Sequence, residues 1–277
     1  MFKFFKNVST ALRSREIAFQ YVGWVAKKFA TGGVLSRNVH GVNLSGFNGF
    51  SEYHSVAGGV SKDELTFIEI FPFGEGAFID VGSNLGLFAL LLNKRFRDRK
   101  VIAFEPNPST FSALKKNVMR NGASQVECHQ NAIADCNGSV TFSVREYARA
   151  NASISNDRRQ ISGEDIRVPC ITLDAFCKNH GISHIALLKV DVEGFESLVF
   201  KGAAAVLEHI RPGVIYFEVC PGLTRAAGFD AIGPAQHLMD HGYVLYRLDN
   251  GGELQPVDVM AASIVDHVEN WVAIDSQ

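Results

Sequence analysis

Short, largely apolar runs alternate along this chain with longer stretches whose apolar residues recur every three or four positions. The runs at 77–81, 101–104, 126–130, 185–191, 214–219 and 243–248 read as buried strands, and the stretches at 63–71, 86–95, 108–120, 195–208 and 231–241 as helices. Strands that are apolar on both faces belong in a covered, mostly parallel sheet, so the alternation predicts an α/β fold with helices on both faces. Gly138 to Val144 reads as an extra strand, Thr172 as the cap of a further helix, and the polar run 151–165 as a long surface loop. The closing strand at 271–274 has no helix before it, which predicts an antiparallel edge strand.

The first 60 residues follow another pattern. Phe2, Phe4, Phe5, Phe19, Trp24 and Phe29 mix with Lys3, Lys6, Arg13, Arg15, Lys27 and Lys28, which marks residues 1–60 as a basic, aromatic-rich helical extension preceding a domain over 61–277. Three roles suit it: a lid over an acceptor site, a peripheral contact with a membrane surface, or helices packed on the flank of the domain. Gly41, Ser45, Gly46, Asn48, Gly49, Gly58 and Gly59 read as a loop leading out of it.

Composition narrows the partners. At 277 residues with 47% hydrophobic content the chain can bury a sizeable core, and a net charge of -2 offers no basic face for a nucleic-acid backbone. The five cysteines are scattered without a Cys-x-x-Cys spacing, so neither a zinc site nor a disulfide framework is expected. A reducing, cytoplasmic setting fits, since no run approaches the ~18 apolar residues of a membrane span.

Candidate chemistry gathers where strands end. In Phe78-Ile-Asp-Val-Gly-Ser-Asn-Leu-Gly-Leu-Phe88 a buried strand enters a glycine-cornered turn and then an apolar helix, the arrangement that holds a nucleoside cofactor in α/β sheets. A dinucleotide fingerprint counted from Gly82 would need glycines at 84 and 87, where Asn84 and Leu87 stand. Asp80, Gly82, Ser83, Asn84 and Gly86 instead offer side-chain oxygens and amides suited to an amino-acid tail, which points to S-adenosylmethionine. Glu105, with Asn107, ends the next strand and suits a pair of ribose hydroxyls; Asn131 and Ala132 end the third and suit an adenine edge. Each of these, taken singly, also reads as a turn or cap residue.

A fourth set follows the strand Ile185 to Leu188: Lys189, Asp191, Glu193 and Glu196. Alternation puts Lys189 and Asp191 on one side, and Glu193 with them if the strand continues. One reading is a Lys189–Asp191 ion pair with Glu196 facing solvent; the other puts Lys189, Asp191 and Glu193, joined by Glu218 from the strand at 214–219, beside the reacting methyl group. There they orient an acceptor and take its proton, directly or with magnesium on the oxygen ligands.

Phe78 to Phe88, Phe104-Glu-Pro-Asn-Pro108, Thr172-Leu-Asp174, Leu188-Lys-Val-Asp-Val-Glu-Gly-Phe-Glu196, Lys201-Gly-Ala203 and Phe217-Glu218, in this order, resemble the FkbM family of S-adenosylmethionine-dependent methyltransferases. The resemblance spans about residues 75–220. It implies a Rossmann-like class I methyltransferase fold and O-methylation of a small-molecule or glycan acceptor such as a sugar or natural product. Two rivals are a nicotinamide-dependent oxidoreductase, opposed by the broken glycine spacing, and a non-catalytic adenosine-binding or membrane-surface module. Should the carboxylate cluster prove structural, Glu218 or His54 is the next candidate base.

Overall fold

The computed structural model describes residues 22–24, 26, 35–47, 53, 60–144, 164–249, 251–259 and 268–276. Their order is β1 (Ser36–Val39), β2 (Val42–Ser45), α1 (Lys62–Ile70), β3 (Ala77–Val81), α2 (Leu87–Arg95), β4 (Val101–Phe104), α3 (Pro108–Arg120), β5 (Val126–His129), β6 (Ala132–Ile133), β7 (Gly138–Val144), β8 (Glu164–Ile171), α4 (Leu173–His180), β9 (Ile185–Val190), α5 (Glu196–Lys201), a π-helical turn (Val206–Ile210), β10 (Val214–Val219), α6 (Pro221–Ala226), α7 (Gly233–Asp240), β11 (Tyr243–Leu248), β12 (Leu254–Pro256) and β13 (Glu269–Asp275).

An eight-stranded sheet in the order β12-β11-β13-β10-β9-β3-β4-β5 forms the centre. From β3 the chain steps outward to β4 and β5, then returns to place β9 and β10 on the other side of β3, all five parallel. The order therefore reverses between β3 and β9, and in open α/β sheets it is at such a point that ligands bind, in the crevice beyond the carboxyl ends of the strands. Alternate side chains of each central strand feed two cores. Phe78, Leu187 and Val214 enter the one built with α1, α2 and α3, and Ile79, Leu188 and Ile215 the one built with α4, α5 and α7.

The antiparallel part is larger than the single edge strand expected. β12 does close the sheet as an antiparallel edge on β11, but the closing strand β13 lies inside, antiparallel to both β10 and β11. Its consecutive residues Trp271, Val272 and Ala273 are buried, so both faces of this strand need cover. The helix expected over 195–208 breaks after Lys201: a Cβ on Gly202 would lie 2.0 Å from the carbonyl oxygen of Ala134, and Asp174 accepts from the freed N–H groups of Ala205 (3.1 Å) and Val206 (2.8 Å).

Most of the expected helical extension, like His54, lies outside the described residues, as do 151–163 of the expected loop; Glu164 and Asp165 open β8. Residues 36–45, expected in the helical extension and, from Gly41, in the loop leading out of it, form a hairpin instead. Its two-residue turn, His40 (φ 50°) and Gly41 (φ 83°), has the two positive φ values of a tight hairpin. Val39, Val42 and Leu44 are buried in the core shared with α2 and α3. The side chain of Asn117 on α3 ties the hairpin down: its Oδ1 accepts from Ser45 N (2.9 Å), and its Nδ2 donates to the carbonyls of Ser45 (3.1 Å) and Leu85 (2.9 Å). The last bond reaches the turn after β3. Among the described residues no helix is long and apolar enough to cross a membrane.

Candidate active site

The turn after β3 depends on backbone that only glycine accepts. Gly82 has φ 82°, and a Cβ there would lie 1.9 Å from the carbonyl oxygen of Asp191, so the chains leaving β3 and β9 touch at this point. The N–H groups of Gly82 and Ser83 both donate to Phe104 O (3.0 and 2.9 Å), and the Ser83 hydroxyl donates to Asp80 O (2.8 Å). Asn84, at φ 49°, presents its N–H to Glu105 Oε2 (3.0 Å), while Asn107 N–H donates to Glu105 Oε1 (2.9 Å). Glu105 thus joins the turn after β3 to the turn after β4. Gly86 is the N-cap of α2, and Asn107 caps α3 by accepting from Ser109 N at 3.0 Å. Asn131 follows β5 at the same end of the sheet, and Ala132 opens β6, paired with Cys170.

A charged row crosses the sheet at the switch point. Asp80 on β3 is in register with Lys189 on β9, and Lys189 with Tyr216 on β10, so the three side chains stand on one face. Asp80 is fully buried and Lys189 nearly so; Lys189 Nζ lies 3.1 Å from Asp80 Oδ1 and 3.4 Å from Asp191 Oδ2, and it donates to Gly82 O at 3.3 Å. Burial works to lower the Lys189 pKa, but Asp80 and then Asp191 outweigh it and hold the ammonium above its ordinary value. Asp80 Oδ2 accepts no hydrogen bond from a described residue. Asp191 faces the crevice with its side chain 37% exposed.

The strand does not continue to Glu193. β9 ends at Val190, and Glu193 takes φ 57°, so a turn and not alternation directs its side chain. Glu196, expected at the surface in the ion-pair reading, is buried: its Oε1 accepts from the N–H groups of Val192 (3.0 Å) and Gly194 (3.3 Å), closing the turn that presents Asp191 and Glu193. Burial, only partly offset by these N–H groups, pushes the Glu196 pKa up to about 7. A carboxyl raised in this way stabilises the fold below its unfolded pKa, and the contribution is lost as pH rises through about 7. A glutamine side chain at this position does not titrate. The stability of Glu196→Gln relative to wild type should therefore improve by roughly 2–3 kcal/mol between acidic and mildly alkaline pH, read by urea unfolding across that range. A constant difference would place the titration elsewhere.

Glu218 is two residues beyond Tyr216 on β10, and so on the same face and at the same rim. Beside it is a bracket that the sequence did not reveal. Glu64 forms a capping box with Ser61 at the start of α1 and receives the Tyr216 hydroxyl and Asn270 Nδ2 (3.1 Å) on its Oε1. Burial, followed by Glu64, raises the Tyr216 pKa well above its ordinary value. The Tyr216 ring stacks on Phe88 (5.6 Å) and Phe67 (5.9 Å), so α1 and α2 are both fastened to the sheet under the rim. The Ser61-x-x-Glu64 spacing was the available signal for α1. Among the described residues no three His, Cys, Asp or Glu side chains converge to hold a metal ion.

The glycine turn, Glu105 and the carboxylate-rich crevice fit S-adenosylmethionine. Each Glu105 oxygen accepts a backbone N–H and retains a second lone pair, which suits two ribose hydroxyls. Burial is the largest influence on Glu105 and raises its pKa to about 7 against the N–H groups of Asn107 and Asn84. Ribose hydroxyls donate to the ionised form. Affinity for S-adenosylhomocysteine should accordingly rise up to about tenfold from pH ~6 to ~8 and lose that dependence in Glu105→Gln, as measured by calorimetry. A flat profile in the wild type would separate Glu105 from the ribose.

This sheet order, with a glycine-cornered turn at the switch point and an antiparallel strand inserted beside β10, is that of a Rossmann-like methyltransferase. The model of the FkbM methyltransferase domain matches residues 80–252, and the chain belongs to this family of S-adenosylmethionine-dependent methyltransferases. It is 29% identical over 181 residues to Methyltransferase 1 of Beauveria bassiana, covering 55% of this chain and 72% of that one. Over 133 residues it is 29% identical to the hexuronic acid methyltransferase AglP of Haloferax volcanii, covering 48% and 52%. Over 163 residues it is 29% identical to the 31-O-demethyl-FK506 methyltransferase FkbM of Streptomyces tacrolimicus, covering 49% and 61%.

Proposed function

We propose that the protein is an O-methyltransferase acting on a hydroxyl of a sugar, glycan or other natural-product acceptor. The observation that carries this reading is the pair Asp191 and Glu193, set by the buried Glu196 in a turn whose backbone touches Gly82. When bound, S-adenosylmethionine supplies a methyl group on a sulfonium, displaced by an oxygen approaching opposite the sulfur.

The residues divide that work. Asp80, Gly82, Ser83, Asn84 and Gly86 shape the pocket for the amino-acid tail, Glu105 and Asn107 the ribose end, and Asn131 with Ala132 the adenine edge. Lys189 is committed to Asp80 and Asp191, which fixes the Asp191 carboxylate at the crevice. Asp191 and Glu193 orient the acceptor hydroxyl and receive its proton, with Glu218 extending the acidic rim. Alignment of the reactants can lower the barrier by ~7 kcal/mol or more, and a positioned base adds ~10²–10⁴-fold in rate. The names of two relatives, a hexuronic acid methyltransferase and a 31-O-demethyl-FK506 methyltransferase, support hydroxyl-bearing acceptors. Incubation with isotope-labelled S-adenosylmethionine and a pool of glycans and metabolites, followed by mass analysis, tests the reading. Label in an O-methyl ether is expected; label confined to nitrogen or carbon would overturn it.

A further inference from the structure

We propose that Cys136 and Cys170 are a redox-active dithiol that closes to a disulfide under mild oxidation. Cys136 is exposed in the turn between β6 and β7, and Cys170 is buried in β8. Their sulfurs are 3.7 Å apart, and the Cys170 thiol donates to Cys136 O at 3.2 Å. Strand pairing imposes this approach. Cys170 is the register partner of Ala132 on one side and of Gly138 on the other, so the chain joining β6 to β7 must cross over it. The turn is also pinned, because Asn137 Oδ1 accepts from Thr172 N at 3.0 Å and Ala134 O packs against Gly202. Neither cysteine belongs to the candidate active site.

The chemistry requires a two-electron oxidant, and a peroxide suffices. The Cys136 thiolate attacks one peroxide oxygen, breaking the O–O bond and giving a sulfenic acid and one water. The Cys170 sulfur then attacks the sulfenic sulfur, forming the S–S bond as the oxygen departs in a second water; both thiol protons end in water, and each sulfur loses one electron. Exposure makes Cys136 the sulfur that meets the oxidant. Burial, and then the Cys136 thiol, raise the Cys170 pKa, so Cys170 waits as a thiol until its neighbour is oxidised.

The test uses the full chain, treated with hydrogen peroxide at neutral pH, alkylated, digested without reductant and mapped by mass spectrometry. A peptide joining Cys136 to Cys170, lighter by two hydrogens and split by dithiothreitol, is expected. In Cys170→Ser the same treatment should carry Cys136 on to sulfinic acid, a product suppressed in the wild type. Wild-type protein in which Cys136 reaches sulfinic acid unlinked, or links to another cysteine, would overturn the proposal.

Discussion

Replacing Lys189 by methionine should destabilise the fold by about 3–5 kcal/mol, because Asp80 would remain fully buried with its cationic neighbour removed. A second substitution, Asp80→Asn, should recover most of the stability in the Lys189→Met background, since a neutral pair is far cheaper to bury than a lone carboxylate. Urea unfolding of the two single variants and the double variant measures this coupling directly. Additive losses across the cycle would mean that the two residues do not act as a pair.

The second large effect concerns the turn after β9. Asp191→Asn and Glu193→Gln should keep the fold while lowering the single-turnover rate of methyl transfer by roughly 10²-fold or more, with the acceptor found by labelling. The two variants should differ in cofactor affinity. Asp191 is ion-paired with Lys189, whose ammonium also donates to Gly82 O in the glycine turn, so Asp191→Asn should weaken S-adenosylhomocysteine binding more than Glu193→Gln. Near wild-type turnover in both would make the cluster a structural ion network and leave Glu218 or His54 as the base.

The parallel half of the sheet was legible because β3, β4, β9 and β10 are apolar on both faces, and such runs have few alternatives. Asp80, Glu105 and Asp191 were legible for the complementary reason: each interrupts or ends an apolar run where the chain must turn. The hairpin was hidden by its turn, which uses His40-Gly41 in place of the usual Asn-Gly or Asp-Gly signal. β8 was hidden by Arg167 and Pro169; at Pro169 the strand pairs only with β7, since β6 meets just Cys170 and Ile171, and one-sided pairing tolerates the missing N–H. The Glu64 bracket joins residues 152 and 206 positions apart, a separation at which no local pattern announces a contact. Glu196 was misplaced for a related reason. Its burial follows from the backbone turn it closes, and that turn exists only because β9 stops at Val190.

Calorimetric titration of the wild-type protein and Glu105→Ala with S-adenosylhomocysteine and, separately, with NAD tests most directly whether the crevice between β3 and β9 is a methyl-donor site. S-adenosylhomocysteine should bind the wild type and bind Glu105→Ala more weakly by roughly 1–3 kcal/mol, while NAD gives no heat in either. Tight NAD binding, with no heat from S-adenosylhomocysteine, would contradict it.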